Sequence, residues 1–161
     1  MAKRMRKNEE IAEKIRAVVS EDAICFDDAY RAGVIFSAQV PMDKLRDVMS
    51  ACAEAGYFLE TITGLDFEDT AELVYHLNCY EPGSRIAVRV LCDQEGTAPT
   101  VIDIYPSASW LEREVHDFYG IRFSDNPDMR PLLLPEDADY HPLRKTFGKV
   151  HAYRKREDIY G

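Results

Sequence analysis

The sequence predicts an α+β two-layer sandwich, in which helices cover one face of a mixed β-sheet, followed by a third helix and an extended C-terminal arm. The first observation is the element order, which reads helix, two strands, helix, three strands. Because strands outnumber helices and do not alternate strictly with them, a doubly wound parallel fold is disfavoured. The second is a change in the sequence pattern after Thr97–Pro99, beyond which prolines and turn residues accumulate. We therefore divide the chain into a globular domain, 1–105, and a helix with a docking arm and basic tail, 106–161.

Two helices are predicted in the first half of the chain. Between Asn8 and Val19, apolar residues recur at the three- and four-residue spacing of a helix with one buried stripe. The second helix is predicted from Pro41 to Ala55, since proline suits a first helical turn and Gly56 is a natural C-terminal stop.

Five segments have the alternation and β-branched content of strands. Segments 23–26 and 34–40 are separated by turn-like residues and are predicted to form a hairpin. Segments 57–67, 72–80 and 85–92 follow in close succession, with turn sequences between them. They are predicted to form a three-stranded meander.

A third helix is predicted from Trp110 to Tyr119. Ser109 is its predicted N-cap, and Glu112 stands three residues later, where it could close a capping box. From Gly120 onward the periodicity fails and prolines recur. A structureless segment of this length is unusual inside a compact domain. We expect this segment, called the arm below, to lie over another protein.

Composition and charge narrow the function classes. The chain has 161 residues, of which 46% are hydrophobic and 30% charged, as in ordinary folded proteins. It contains no run of 18 apolar residues, and its first ten residues resemble no export signal, so we expect neither a membrane span nor export. The net charge of −9 argues against a general nucleic-acid binder. No glycine-rich phosphate loop or nucleophile elbow occurs.

The four cysteines show no metal-ligand spacing. Cys25, Cys52, Cys79 and Cys92 are far apart, with no CxxC pair among them. We expect four buried thiols in a reducing compartment.

Positive charge is concentrated at the C-terminus. Residues 141–161, called the basic tail below, carry six lysines and arginines against two acids. This distribution indicates either a tail with a partner surface of its own or a solvated run of charge.

One helix could carry chemistry. Glu112 and His116 are four residues apart and share a helical face, where they could bind a metal or form an acid–base pair with Asp117 nearby. A catalytic metal needs about three protein ligands, and no second carboxylate–histidine pair completes such a set. A surface ion-pair network that includes Arg113 is the favoured alternative, and a free-standing small enzyme remains the minor one.

The segment from Trp110 to Lys145 is specific enough to indicate a family. The stretches 110–123, 126–130, 133–137 and 141–145 resemble the signature of the 30 kDa subunit of respiratory complex I, the NADH-quinone oxidoreductase of bacteria. Asn126, Pro131, Ala138 and Thr146 depart from the usual pattern. These departures leave open the equivalent subunit of an energy-converting hydrogenase, a formate hydrogenlyase or a ferredoxin- or deazaflavin-linked oxidoreductase.

The resemblance implies a non-catalytic peripheral-arm subunit with no cofactor and no small-molecule substrate of its own. Iron–sulfur clusters, flavin or nickel–iron would belong to partner subunits. The implied partners are the quinone-site or hydrogenase-large-like subunit and the iron–sulfur subunits, on the cytoplasmic face of the cell membrane. Residues that match the motif are expected at subunit interfaces: Glu112, Arg113, Glu114, Asp117, Gly120, Pro127, Asp128, Arg130, Pro135, His141, Pro142, Leu143, Arg144 and Lys145.

Overall fold

The computed structural model describes residues 2–20, 23–25, 33–92, 96–148 and 156–157, and it confirms the α+β class. In chain order the elements are α1 (Ala2–Val18), β1 (Ile24–Cys25), β2 (Ser37–Gln39), a 3-10 helix (Met42–Lys44), α2 (Leu45–Glu54), β3 (Phe58–Asp66), β4 (Ala71–Cys79), β5 (Ser84–Cys92), β6 (Thr97–Pro99), α3 (Ala108–Tyr119) and β7 (Arg122–Ser124).

The main sheet is mixed, as predicted. Its strand order is β1-β2-β5-β4-β3, in which β2 pairs in parallel with β5 and the other neighbours are antiparallel. The predicted hairpin and meander are both present. A second, two-stranded parallel sheet joins β6 to β7 and was not predicted. Each of its strands has only three residues, too few to show an alternating pattern.

One hydrophobic core joins the helices to the sheet. Ile15 of α1 and Leu45 of α2 are fully buried in a cluster with Leu73 and Tyr75 of β4. Burying a large apolar side chain contributes roughly 1.5–3 kcal/mol to stability. Val74, between the two β4 core residues, belongs to a separate small cluster. Since successive strand residues point to opposite faces, this second cluster lies on the face away from the main core.

Several elements differ in extent from their predictions. The helix predicted from Pro41 to Ala55 is divided into the 3-10 helix Met42–Lys44 and α2, Leu45–Glu54. Helix α1 begins at Ala2 rather than Asn8, because residues 2–7 are good helix formers whose sequence lacks the apolar spacing on which the prediction relied. The strand predicted over 34–40 is shorter, since only Ser37–Gln39 pair in register with β5. Single backbone bonds from Ile35 and Val40 extend the contact on either side.

Three of the predicted buried thiols are confirmed. Cys52, Cys79 and Cys92 are free and buried, and burial raises the pKa of Cys52 to about 12. The side chain of Cys25 lies outside the described residues. Within the described part of the chain, no helix has both the length and the apolar character needed to cross a membrane.

Candidate functional site

Glu112 lies in the middle of α3 and ties this helix to the end of β6. Its side chain is wholly buried. One carboxylate oxygen accepts the backbone N–H of Val101 at 2.8 Å, and the other accepts the Thr100 hydroxyl at 2.6 Å and the Asn126 amide at 2.8 Å. Burial raises the pKa of Glu112, and the hydrogen bonds from these three neighbours oppose part of that rise.

These contacts correct two predictions made for Glu112. The capping box is absent, since α3 begins at Ala108, which places Ser109 inside the helix, and Ser107 before it makes no side-chain cap. The ion-pair network with Arg113 is also absent, because Arg113 pairs with Asp128 instead. In both cases the carboxylate is turned inward, toward donors that are distant from it in sequence.

Asp117, in the last turn of α3, holds the arm against the helix. A single carboxylate oxygen accepts the backbone N–H groups of Leu132, Leu133 and Leu134 at 2.7, 2.8 and 3.2 Å. Burial alone would raise the pKa of this carboxyl, but the three backbone donors outweigh burial and the pKa lies below its usual value. Asp117 therefore stabilises an irregular backbone segment.

The motif at residues 141–145 caps the C-terminal end of α3. The last carbonyls of a helix have no intrahelical partner and need donors from elsewhere. Here the arm returns to supply them. The pairs are His141 Nδ1 to the Asp117 carbonyl at 2.8 Å, the Leu143 backbone N–H to the Phe118 carbonyl at 3.1 Å, and Arg144 Nε to the Tyr119 carbonyl at 2.7 Å.

Gly120 allows this close approach. It follows α3 with a φ of +74°, the left-handed conformation that favours glycine. A Cβ built at this position would lie 2.6 Å from the His141 ring and 2.8 Å from the Arg144 guanidinium. Glycine is therefore required here both by backbone conformation and by packing.

Arg113 fastens the middle of the arm. Its guanidinium donates to the backbone carbonyls of Arg130 and Pro131, each at 2.8 Å, and lies 3.4 Å from the Asp128 carboxylate. Asp128 also receives two hydrogen bonds from the exposed Arg130 side chain, at 2.8 and 2.9 Å. These hydrogen bonds from Arg130, together with the charge of Arg113, hold the pKa of Asp128 well below its usual range.

The predicted interface residues fall into three groups by exposure. Glu112 and Asp117 are buried and bind groups of their own chain, so neither carboxylate faces outward. Seven are half-buried: Arg113, Gly120, Asp128, His141, Pro142, Arg144 and Lys145. Five are exposed: Glu114, Pro127, Arg130, Pro135 and Leu143. The interface role stays a prediction for all fourteen residues.

The arm is folded onto its own domain through these contacts. Lys145 adds another, its backbone N–H donating to Asp66 of β3 at 2.8 Å. Contacts also cross the predicted boundary at 105, since α3 packs on β3 and Glu112 binds Val101. The described part of the arm, 120–148, therefore makes specific contacts with the rest of its own chain.

The outer side of this segment is apolar in places. Several of the large apolar side chains that are exposed in the described residues lie between positions 110 and 147. They are Trp110, Leu133, Tyr140, Leu143 and Phe147, with exposed fractions from 40% to 64%. The rings of Tyr140 and Phe147 stack with centroids 5.3 Å apart. We call these five side chains the apolar outer surface.

The geometry does not assemble the acid–base or metal site considered for α3. The carboxylates of Glu112 and Asp117 are both occupied by internal donors, and His116 Nδ1 donates to the Ile121 carbonyl at 3.0 Å. Among the described residues there is no group of three or more potential metal ligands. These three side chains position the arm and the end of β6.

Sequence reasoning missed the internal partners of the motif. Thr100 and Asn126 bind Glu112, and Asp66 binds the arm, from distant parts of the chain. One local signal was available at Asn126, which precedes proline and aspartate in a turn-like run. Its side-chain oxygen accepts the Asp128 backbone N–H at 3.0 Å, an Asx turn.

Comparison with known proteins relates the chain to respiratory complexes. The family model described as "Respiratory-chain NADH dehydrogenase, 30 Kd subunit" matches residues 38–153. A subunit of the NADH-quinone oxidoreductase of Methylobacterium sp. (strain 4-46) is 36% identical over 143 residues, covering 87% of this chain and 65% of that protein. The equivalent subunit of Parvibaculum lavamentivorans is 35% identical, covering 86% and 71%.

Several other relatives of the same name match over a shorter region. The NADH-quinone oxidoreductase subunit of Chelativorans sp. (strain BNC1) is 43% identical over 89 residues, which cover 53% of this chain and 44% of that protein. The matched region thus spans about half the length of such curated relatives.

A solved structure has the same fold. It is a chain from the structure of the membrane-bound sulfane sulfur reductase, an archaeal respiratory membrane complex, with a TM-score of 0.73 and 33% sequence identity. The alignment covers 89% of this chain and 87% of that chain.

Proposed function

Because the chain belongs to the family of the 30 kDa subunit of the respiratory-chain NADH dehydrogenase, we propose that it is a non-catalytic peripheral-arm subunit of a complex I-type NADH:quinone oxidoreductase. In this role it braces the quinone-site and iron–sulfur subunits during electron transfer coupled to ion translocation. Iron–sulfur clusters and flavin belong to the partner subunits. The chain lies on the cytoplasmic face of the cell membrane and touches the membrane only through its partners.

The apolar outer surface carries this proposal. Trp110 is 64% exposed and Leu133 is 63% exposed, on a segment whose inner side is held by internal hydrogen bonds. When a partner surface covers large exposed apolar side chains, their removal from water contributes favourably to the free energy of binding. The arm thus combines a fixed backbone with an uncovered apolar side, as a docking element requires.

The hydrogenase-type alternative has an observation in its favour. The structural relative with a TM-score of 0.73 comes from a membrane complex named as a sulfane sulfur reductase. The second candidate is therefore the equivalent subunit of a membrane-bound relative of complex I, in which nickel–iron or another centre of a partner replaces the NADH module.

Co-purification tests the proposal and separates the two candidates. We expect a tagged full-length chain, extracted from membranes in mild detergent, to migrate with a multi-subunit complex on a native gel. Mass spectrometry would then identify either a flavin-containing NADH module or a nickel-binding large subunit. A chain that migrates as a free monomer on this native gel would overturn the proposed role.

Substitutions on the apolar outer surface test the docking element itself. Trp110→Asp together with Leu133→Asp should reduce recovery of the assembled complex by about tenfold or more, since hot-spot truncations cost about 2 kcal/mol or more. Tyr80→Asp is the matched control, because Tyr80 is 82% exposed and lies outside the segment. Thermal unfolding of the isolated chain should change little in either variant. Normal assembly of the double variant would contradict the docking role.

A further inference from the structure

The face of the sheet that points away from the main core carries charged and polar side chains. On β4, Leu73 and Tyr75 join the main core, while Glu72 lies between Ala71 and Leu73 and points to the opposite face. On the neighbouring strands, Arg89 of β5 pairs in register with Gln39 of β2. Both point to the same face as Glu72.

Glu72 is a buried carboxylate on this face. Its exposed fraction is 0%. One of its oxygens lies 3.3 Å from Arg89 Nη2, and the other accepts hydrogen bonds from Arg156 Nε at 3.2 Å and Nη2 at 3.1 Å. A carboxylate removed from water must be compensated by charge and by hydrogen bonds. Part of that compensation comes from a residue 84 positions later, in the basic tail.

The contacts of Arg156 use the shape of its guanidinium. Two nitrogens of the planar fork meet one oxygen of Glu72, and Nη2 also donates to the side-chain oxygen of Gln39 at 2.9 Å. A lysine ammonium on a flexible stem cannot reproduce this geometry. The side chain of Arg156 retains 25% of its exposure, whereas Glu72 has none. The acceptor oxygen of Glu72 is thus buried, and Arg156 reaches it from the partly exposed side.

We propose that Glu72 and Gln39 form a guanidinium-binding site on this face of the sheet, and that its ligand is Arg156, which fastens the basic tail to the chain's own domain. This fastening requires no particular parent complex, since all of its partners belong to one chain. Arg156 of the basic tail then binds within its own chain, a role that the charge distribution alone did not predict.

A second anchor supports the fastening. The backbone of Lys145 is held by Asp66 at 2.8 Å. Asp66 pairs in register with Ala71, and Leu65 with Glu72, so the two anchor carboxylates lie at the same end of the β3–β4 pair. Lys145 and Arg156 are therefore both held at this end of the sheet.

Limited proteolysis of the full-length chain tests the proposal. Chymotrypsin cleaves the bond between Tyr153 and Arg154, and neither the test nor the control substitutions alter these two residues. When cleavage is slow relative to reclosing, its rate tracks the population of the open form, so we expect Arg156→Ala to raise it about tenfold. Lys149→Ala, which removes the same charge from the basic tail and leaves both residues of the Tyr153–Arg154 bond unchanged, is the matched control and should have little effect.

Two further variants separate guanidinium recognition from simple charge. Arg156→Lys should be cleaved nearly as fast as Arg156→Ala, because it keeps the charge but loses the fork. Gln39→Ala should also raise the rate, and the double variant Gln39→Ala/Arg156→Ala should raise it less than the product of the single effects, since both remove one contact. Circular dichroism should show a folded domain in each, as Glu72 retains Arg89.

The proposal is overturned if Arg156→Ala is cleaved no faster than Lys149→Ala. It is also overturned if Arg156→Lys behaves as the unmodified chain, because the site would then recognise charge alone. Fully multiplicative effects of Gln39→Ala and Arg156→Ala would show that the two residues act separately, which would also overturn it.

Discussion

Asp117 holds Leu133 by a 2.8 Å hydrogen bond between a carboxylate oxygen and the backbone N–H, and the same oxygen also holds the N–H groups of Leu132 and Leu134. One side chain of α3 thus organises three consecutive residues of a segment without regular structure. The position of the apolar outer surface, which includes the Leu133 side chain, depends on this carboxylate.

Asp117→Asn should therefore destabilise the chain by about 1–3 kcal/mol, because a neutral amide oxygen accepts hydrogen bonds from the three partly buried N–H groups more weakly than a carboxylate does. The measurement is urea unfolding at neutral pH. Asp137→Asn is the control, because it removes the same charge from an exposed position of the arm. Equal stability of the two variants would contradict the role given to Asp117.

The unmodified chain and Asp117→Asn should differ in how their stability changes at acidic pH. Since the pKa of Asp117 is lowered by folding, its stabilising contribution is present above the unfolded pKa of about 3.9. It is lost as the pH falls through the folded pKa. The stability difference between the unmodified chain and Asp117→Asn should shrink below about pH 4.

Glu112 should show the opposite pH dependence. Its pKa is raised by burial, so its ionisation weakens the folded state as the pH rises above the unfolded value of about 4.3. Glu112→Gln should cost about 1–2 kcal/mol near pH 4 through its lost hydrogen bonds, and less at pH 7. Denaturant unfolding at both pH values checks this, with the exposed Glu114→Gln as control. A cost that grows with pH would refute the assignment.

Gly120→Ala should be more destabilising than Gly56→Ala. Both glycines have positive φ, +74° and +80°, but a Cβ at position 56 meets no atom within 4 Å. The left-handed conformation alone costs roughly 1–2 kcal/mol for alanine. At position 120 the added methyl also displaces His141 and Arg144, which cap α3. Differential scanning calorimetry of the two variants measures the difference, and equal losses would argue against the cap.

Arg130 and Arg144 should affect different properties. Arg144→Ala removes a charged donor from the Tyr119 carbonyl and should lower stability by about 1–2 kcal/mol. The Arg130 side chain is 81% exposed and its guanidinium binds the nearby Asp128, so Arg130→Ala should leave the unfolding midpoint nearly unchanged while weakening assembly. Chemical unfolding and native-gel assembly together check both effects. A large stability loss in Arg130→Ala would contradict this division.

Local patterns were sufficient for much of the fold. The buried stripe of α1, the alternation along β4 and the stop at Gly56 identify elements that the structure confirms. The prediction failed where neighbours in sequence were a poor guide. Residues 2–7 are helical although their sequence shows no apolar period, and β6 and β7 are too short to show a period.

The candidate site was located by sequence but its chemistry was not. The motif from Trp110 to Lys145 identified the family, which the comparisons confirm. The orientation of its side chains could not be predicted, because the donors that satisfy Glu112 are contributed by Thr100, Val101 and Asn126 from outside α3. The residues that surround a helical glutamate in sequence can be the same whether its carboxylate faces solvent or a buried backbone N–H.

By itself, then, the sequence determined the element order, the mixed α+β class and the family, since each depends on local periodicity or on a contiguous motif. Only the tertiary structure decided that Glu112 and Asp117 bind within the chain, that residues 141–145 cap α3, and that Arg156 reaches Glu72. The physical reason is that buried polar groups must be paired, and their partners are chosen by proximity in the folded chain rather than along the sequence.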